Sequence, residues 1–161
     1  MANATLILGE AVRRIDDRYR LTLPPKMVEA IGAEQEVECV LAKERYGAIS
    51  LWKREAWQGR IEPGIAVVQQ KVMGGWLPAQ VAEVQQFARL LSTRSGEVMV
   101  SASGRVVIPE EFREFLGVKA PGDCVVVGAG VCIEIWNPEC WHEYVKQEIE
   151  TFGTLFEKLS K

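Results

Sequence analysis

The chain has 161 residues, 48% of them apolar and 25% charged, with a formal net charge of −3. That composition is ordinary for a globular protein of one large or two small domains, and the negative balance excludes a strongly basic nucleic-acid binder. The longest apolar runs, such as Cys124-Val125-Val126-Val127, are far too short to cross a bilayer, and no charged segment leads into an apolar run at the N-terminus, so a cytoplasmic protein is expected.

Residues 1–9 read as a lead-in or a short edge strand. Glu10 to Ile15 reads as a strand, and Asp16-Asp17-Arg18-Tyr19 as a tight turn, because Asp side chains bond nearby backbone N–H groups. Arg20-Leu21-Thr22-Leu23 alternates as a returning strand, which makes a hairpin with a charged tip. Pro24-Pro25 opens a short helix that Gly32 stops. Val37 to Leu41 and Ala48 to Trp52 form a second strand pair, and Glu55 to Ile61 a short helix. A connector from 62 to 96 follows, with Pro63-Gly64 and Met73-Gly74-Gly75 as breakers, a helix from Gln80 to Leu91, and a loop at Ser92 to Gly96. Glu97 to Val100 and Arg105 to Ile108 form another hairpin around Ser101-Ala102-Ser103-Gly104. Pro109-Glu110-Glu111 opens a helix, with acids suited to its N-terminus. Cys124 to Val127 and Val131 to Trp136 are strands, and Asn137-Pro138 starts an amphipathic helix reaching about Lys158, striped by Trp141, Tyr144, Val145, Ile149, Phe152 and Phe156.

Two phrases in this series recur. Arg20-Leu21-Thr22-Leu23-Pro24 returns as Arg105-Val106-Val107-Ile108-Pro109, an offset of 85. Ile49-Ser50-Leu51-Trp52 with Glu55 and Trp57 returns as Ile133-Glu134-Ile135-Trp136 with Glu139 and Trp141, an offset of 84. Ordered matches at nearly one spacing indicate a duplicated unit, with two halves sharing one core. Cys39 and Cys124 are also 85 apart, which predicts equivalent strand positions and buried free thiols.

Catalysis is hard to build from this inventory. The one histidine, His142, lies beside Trp141 near the start of a helix, and the pattern suggests no Ser-His-acid or Cys-His pairing for it. No nucleotide-binding glycine loop follows a strand, and Cys132, Cys140 and His142 match no standard zinc spacing. No catalytic residue, metal, cofactor or small-molecule substrate is expected, and the chain reads as a non-enzyme. Charge distribution is more telling. Residues 1–80 carry 11 basic and 10 acidic residues, residues 81–161 carry 8 and 12, and Arg13, Arg14, Arg18, Arg20 and Lys26 crowd the first hairpin. A basic two-stranded ribbon fits the major groove of DNA. Asp16 stands four residues before Arg20 across the tip. It either orients the guanidinium for bidentate bonding or merely closes the hairpin, and the spacing admits both.

Asp16-x-x-x-Arg20 followed by Leu-Thr-Leu-Pro, the second phrase around Arg105, and Ile133-Glu134-Ile135-Trp136 with Trp141-His142 together resemble the MraZ family of bacterial transcriptional regulators, related to AbrB and MazE. The resemblance implies an α+β, β-rich fold in which two tandem AbrB/MraZ-like repeats form a pseudo-dimeric double-split, swapped-hairpin β-barrel with flanking helices. The first repeat would span 8–57, the connector 62–96, the second repeat 97–141 and the C-terminal helix 142–161. The resemblance also implies a ring-shaped homo-oligomer, nucleoid-associated, that binds direct repeats in double-stranded DNA and represses a division and cell-wall gene cluster. DNA-binding residues on this basis are Asp16, Arg18, Arg20, Arg14, Arg13 and Arg105. The chain departs from the family pattern at Tyr19, where Gly is common, at Arg18, where Lys is common, and at Ser101, which replaces the second motif's Asp. Most DNA contact is therefore expected from the first motif. Two alternatives without DNA are an antitoxin-like binder of protein partners and a scaffold ring.

Overall fold

The structure is a computed structural model that describes residues 5–32, 35–75 and 78–161. The predicted lead-in therefore lies partly outside the described residues. Its described part bonds to the turn at Gly130 through Ile7. Eight strands follow: β1 (Glu10–Ile15), β2 (Arg20–Thr22), β3 (Val37–Arg45), β4 (Ala48–Lys53), β5 (Ser95–Val100), β6 (Arg105–Val107), β7 (Gly122–Gly128) and β8 (Ile133–Trp136). The helices are α1 (Pro25–Ala30), α2 (Arg54–Met73), α3 (Val81–Arg94), α4 (Glu110–Leu116), α5 (Pro138–Glu148) and α6 (Phe152–Leu159), with single 3₁₀ turns before α3 and between α5 and α6.

The strands make a six-stranded antiparallel sheet in the order β1-β7-β8-β4-β3-β5 and a separate two-stranded ribbon of β2 and β6. The order is palindromic, and so is the register. Arg13 faces Cys124 while Val98 faces Cys39, and Val125 faces Trp136 while Val40 faces Trp52. Where β4 meets β8, Ser50 faces Glu134; where β2 meets β6, Leu21 faces Val106.

The two expected hairpins hold only at their tips. The Asp16 N–H donates to the Arg20 carbonyl at 3.1 Å and the Tyr19 N–H to the Asp16 carbonyl at 3.0 Å. Beyond that point β1 departs to β7 and β2 to β6, and likewise β5 pairs with β3 rather than with β6. The expected double-split β-barrel is not found as a closed barrel: among the described residues β1 and β5 are sheet edges. The ribbon strands are only three residues long, and each is followed within two positions by a proline that has no N–H to donate and leads into a helix.

One core lies between the inner face of the large sheet and the ribbon with α1 and α4. Ile15, Leu21, Leu41, Leu51, Val106, Ile108, Leu116, Ile133 and Ile135 all belong to it. On the outer face, Trp52 and Trp57 seat the start of α2, and Trp136 packs against Trp141 and Tyr144 of α5.

The connector differs from its expected form. A single helix runs through Pro63 to Met73, and α3 continues to Arg94, so the expected Ser92–Gly96 loop is helix end and strand start. Pro63 cannot donate to the carbonyl four residues back, which belongs to the exposed Gly59 and is open to water. No residue of α3 is buried, its apolar Val81, Val84, Ala88 and Leu91 included. The C-terminal stripe is likewise open, with Ile149, Phe152 and Phe156 exposed. Among the described residues no helix is long and apolar enough to cross a membrane.

The cysteines are free thiols. Burial pushes the Cys39 thiol up to about 11 and those of Cys124 and Cys132 up to about 12, while Cys140 is only half-buried. A thiol-specific reagent at neutral pH is therefore expected to modify Cys140 first in the native protein and the other three only on unfolding. Equal labelling rates by mass spectrometry would contradict the packing around β3 and β7.

Candidate nucleic-acid interface

The site begins with alternation along the ribbon. Leu21 and Val106 point into the core at 1% exposure each, so Arg20, Thr22, Arg105 and Val107 share the outward face. In the antiparallel register Arg20 stands opposite Val107 and Thr22 opposite Arg105, which sets the two arginines on one diagonal. The adjacent end of β1 supplies Arg13 and Arg14. The result is an open depression of about 280 Å³ lined by Arg13, Arg14, Asp16, Arg20, Thr22 and Arg105. Four arginines and one carboxylate residue line it. Five of the six sequence-expected residues are thus gathered in one place, and the sixth, Arg18, projects exposed from the turn.

Asp16 organises this surface. Its Oδ1 accepts from the backbone N–H groups of Arg18 and Arg20, both at 2.9 Å, and its Oδ2 accepts from Arg20 Nε at 2.6 Å. The carboxylate thus closes the turn and also pairs with the Arg20 guanidinium. The Arg20 backbone bond is the leading reason that the Asp16 pKa lies below the usual 3.8, with the Arg20 side chain and the Arg18 N–H adding to it and partial desolvation opposing. A depressed folded pKa means that the stabilisation is complete above the unfolded value and is lost as pH falls through the lower folded one. The turn is therefore expected to stay clamped at neutral and mildly acidic pH and to open only below about pH 3.8. The Arg20 Hε resonance in an NMR pH titration reads this directly, and broadening that begins near pH 6 would contradict it.

The second turn repeats the backbone but not the clamp. Ser101 Oγ accepts from the Arg105 N–H at 3.0 Å and shares a hydrogen bond with Ser103 Oγ. It offers no second oxygen, and no carboxylate lies within ion-pair distance of the Arg105 guanidinium among the described residues.

The turns also differ at their left-handed position. Tyr19 takes φ 59° with its ring 4.3 Å from the Arg113 guanidinium, whereas Gly104 takes φ 84° directly against Val28. A Cβ on Gly104 would lie 2.4 Å from Val28 Cγ2. Gly104→Ala is expected to cost about 1–3 kcal/mol from strain and overlap. Val28→Ala in the same chain should return part of that loss in a denaturant melt, and strict additivity of the two changes would refute the contact.

Thr22 is the residue that the sequence reading missed. Its signal was present: two residues beyond Arg20 on a strand, it must share that side chain's face. His142 is exposed on α5 and has no part in the depression.

A family profile described as "MraZ protein, putative antitoxin-like" matches residues 95–159. A protein of Symbiobacterium thermophilum named transcriptional regulator MraZ is 30% identical over 152 residues, covering 94% of this chain and 99% of the relative. The chain belongs to the MraZ family. Likenamed proteins of Syntrophomonas wolfei subsp. wolfei and Heliobacterium modesticaldum are each 28% identical over 154 residues, covering 96% of either chain. The profile match begins at the first residue of β5 and takes in the second turn and Arg105, while the alignments to the relatives extend over nearly the whole chain, the first turn and its Asp16–Arg20 pair included.

Proposed function

We propose that this MraZ-family chain is a transcriptional regulator that grips double-stranded DNA through the β2–β6 ribbon and its flanking turns. The observation that carries the reading is the convergence of Arg13, Arg14, Arg20 and Arg105 on one open depression, with Arg20 held by Asp16. The names of the relatives agree with it. A ribbon of this width enters the major groove, where fixed guanidiniums bond bidentately to guanine and mobile ones to phosphate. The palindromic strand register supports a duplicated unit in which each half contributes one arginine to a shared surface.

A single protomer with a few such contacts on a chain of net charge −3 binds weakly. Assembly into a homo-oligomeric ring makes each later contact intramolecular and raises avidity, and tandem direct repeats then match the spacing of ribbons around the ring. Repression of a division and cell-wall gene cluster by a nucleoid-associated protein follows the family resemblance. The test is a salt series on the DNA upstream of the chain's own gene, comparing tandem with single half-sites. With about 8 phosphates neutralised, affinity should fall on the order of 10³–10⁵ between 50 and 200 mM salt. No retention at any ionic strength, with a partner protein captured instead, would favour the antitoxin-like or scaffold alternative, to which the open stripe of Phe152 and Phe156 lends its one support.

A further inference from the structure

Arg20 and Arg105 occupy equivalent places in their two phrases and line the same depression, but they are not held alike. Arg20 gives its Nε–H to Asp16 Oδ2 at 2.6 Å, which sets the plane of the guanidinium and leaves the two Nη groups free, side by side. Arg105 is held only through its backbone, its N–H donating to Ser101 Oγ at 3.0 Å and its carbonyl accepting from the Ser101 N–H at 3.0 Å, with no partner for the guanidinium among the described residues. That hydroxyl is already shared with Ser103, and the Arg105 side chain is exposed. The chemistry that each guanidinium suits follows from this difference. A guanine edge presents O6 and N7 in a fixed plane and rewards a fork held in that plane. A phosphate accepts from a wide range of directions and rewards charge more than orientation.

We propose that the two arginines divide the recognition of one DNA site, Arg20 reading a guanine edge and Arg105 taking a backbone phosphate, and that the residue deciding between these roles is the turn residue four positions earlier, Asp16 or Ser101. The inference rests on the DNA-binding reading above and adds to it a sequence-reading half and a sequence-blind half. An unheld Arg105 gives positional tolerance: the assembly keeps its electrostatic grip while one ribbon strand alone discriminates sequence.

The test uses the full-length protein, a duplex carrying the upstream sequence of its own gene, and a scrambled duplex of the same length. Lysine keeps the charge but removes the fork, so it separates the two roles. Arg20→Lys should lower the ratio of specific to scrambled affinity on the order of 10- to 100-fold while leaving the salt slope unchanged. Arg105→Lys should leave that ratio within about 2-fold, and Arg105→Ala should weaken both duplexes alike and reduce the salt slope by about one per protomer engaged. Ser101→Asp supplies the missing oxygen, so in that background Arg105→Lys should become as costly to specificity as Arg20→Lys is in the parent chain. Thermal melts of each variant confirm that the fold is kept. If both lysine variants lose specificity equally, or if Ser101→Asp leaves Arg105→Lys harmless, the division of roles is overturned while DNA binding stands. If the parent chain shows no salt-dependent retention of either duplex, the DNA reading falls and this inference falls with it.

Discussion

Arg20→Ala is expected to abolish most sequence-specific DNA binding while the protein stays folded and assembled. The side chain is 41% exposed and its partner Asp16 38%, so no core contact is lost and the melting temperature should move little. The functional cost is of another order. One bidentate arginine is worth about 1–3 kcal/mol of base discrimination, and in the proposed ring every protomer engaged on a tandem site would lose it together. A drop of 100-fold or more in specific affinity, on the order of two bidentate contacts, is the expected reading by fluorescence anisotropy, with an unchanged sedimentation profile. Wild-type affinity in that variant would remove Arg20 from the mechanism.

The second large effect lies directly beneath the first. Leu21→Ala deletes a side chain at 1% exposure where the ribbon crosses the core opposite Val106. Removal of a buried leucine costs about 2–5 kcal/mol, a large share of the 5–15 kcal/mol typical of a whole domain. Because Leu21 lies between Arg20 and Thr22, settling of the ribbon into the void displaces both arginine-bearing strands. Urea denaturation should show a midpoint shift of that size with an unchanged m-value, together with weakened DNA binding. Val107→Ala, on the outward face at 46% exposure, is the control and should change stability by less than about 0.5 kcal/mol. Equal effects from the two substitutions would mean that the ribbon does not cover the core as described.

Legibility in the sequence differed between local and long-range features. The first strand, the Asp16 turn, the proline-led helices and the Asn137 cap follow from short-range chemistry, and Asn137 Oδ1 does accept from the Glu139 N–H at 3.0 Å. The clustering of Arg13, Arg14 and Arg20 was legible because one turn joins them. What alternation cannot specify is the partner of a strand. Leu21 facing inward is equally compatible with pairing to β1 or to β6, so the exchange of strands between halves was available only through the family resemblance. Arg105, 85 residues from Arg20 yet on the same surface, was likewise reached only through the resemblance. The continuous α2 was missed for a different reason: Pro63 penalises helix locally, but on a solvent-facing stretch that penalty does not end one.

The strand exchange between β1–β7 and β2–β6 has a consequence for the making of the protein. A nascent chain that has emerged only as far as α3 contains β1, β2, β3 and β4, yet the partners of β1 and β2 have not emerged. Its first arginine-bearing turn must wait, with apolar strands unsatisfied, until residues beyond Val107 and Gly128 leave the ribosome. Completion of the proposed DNA-contacting surface is thereby tied to emergence of the chain through β7, so products that end before it cannot present a finished ribbon.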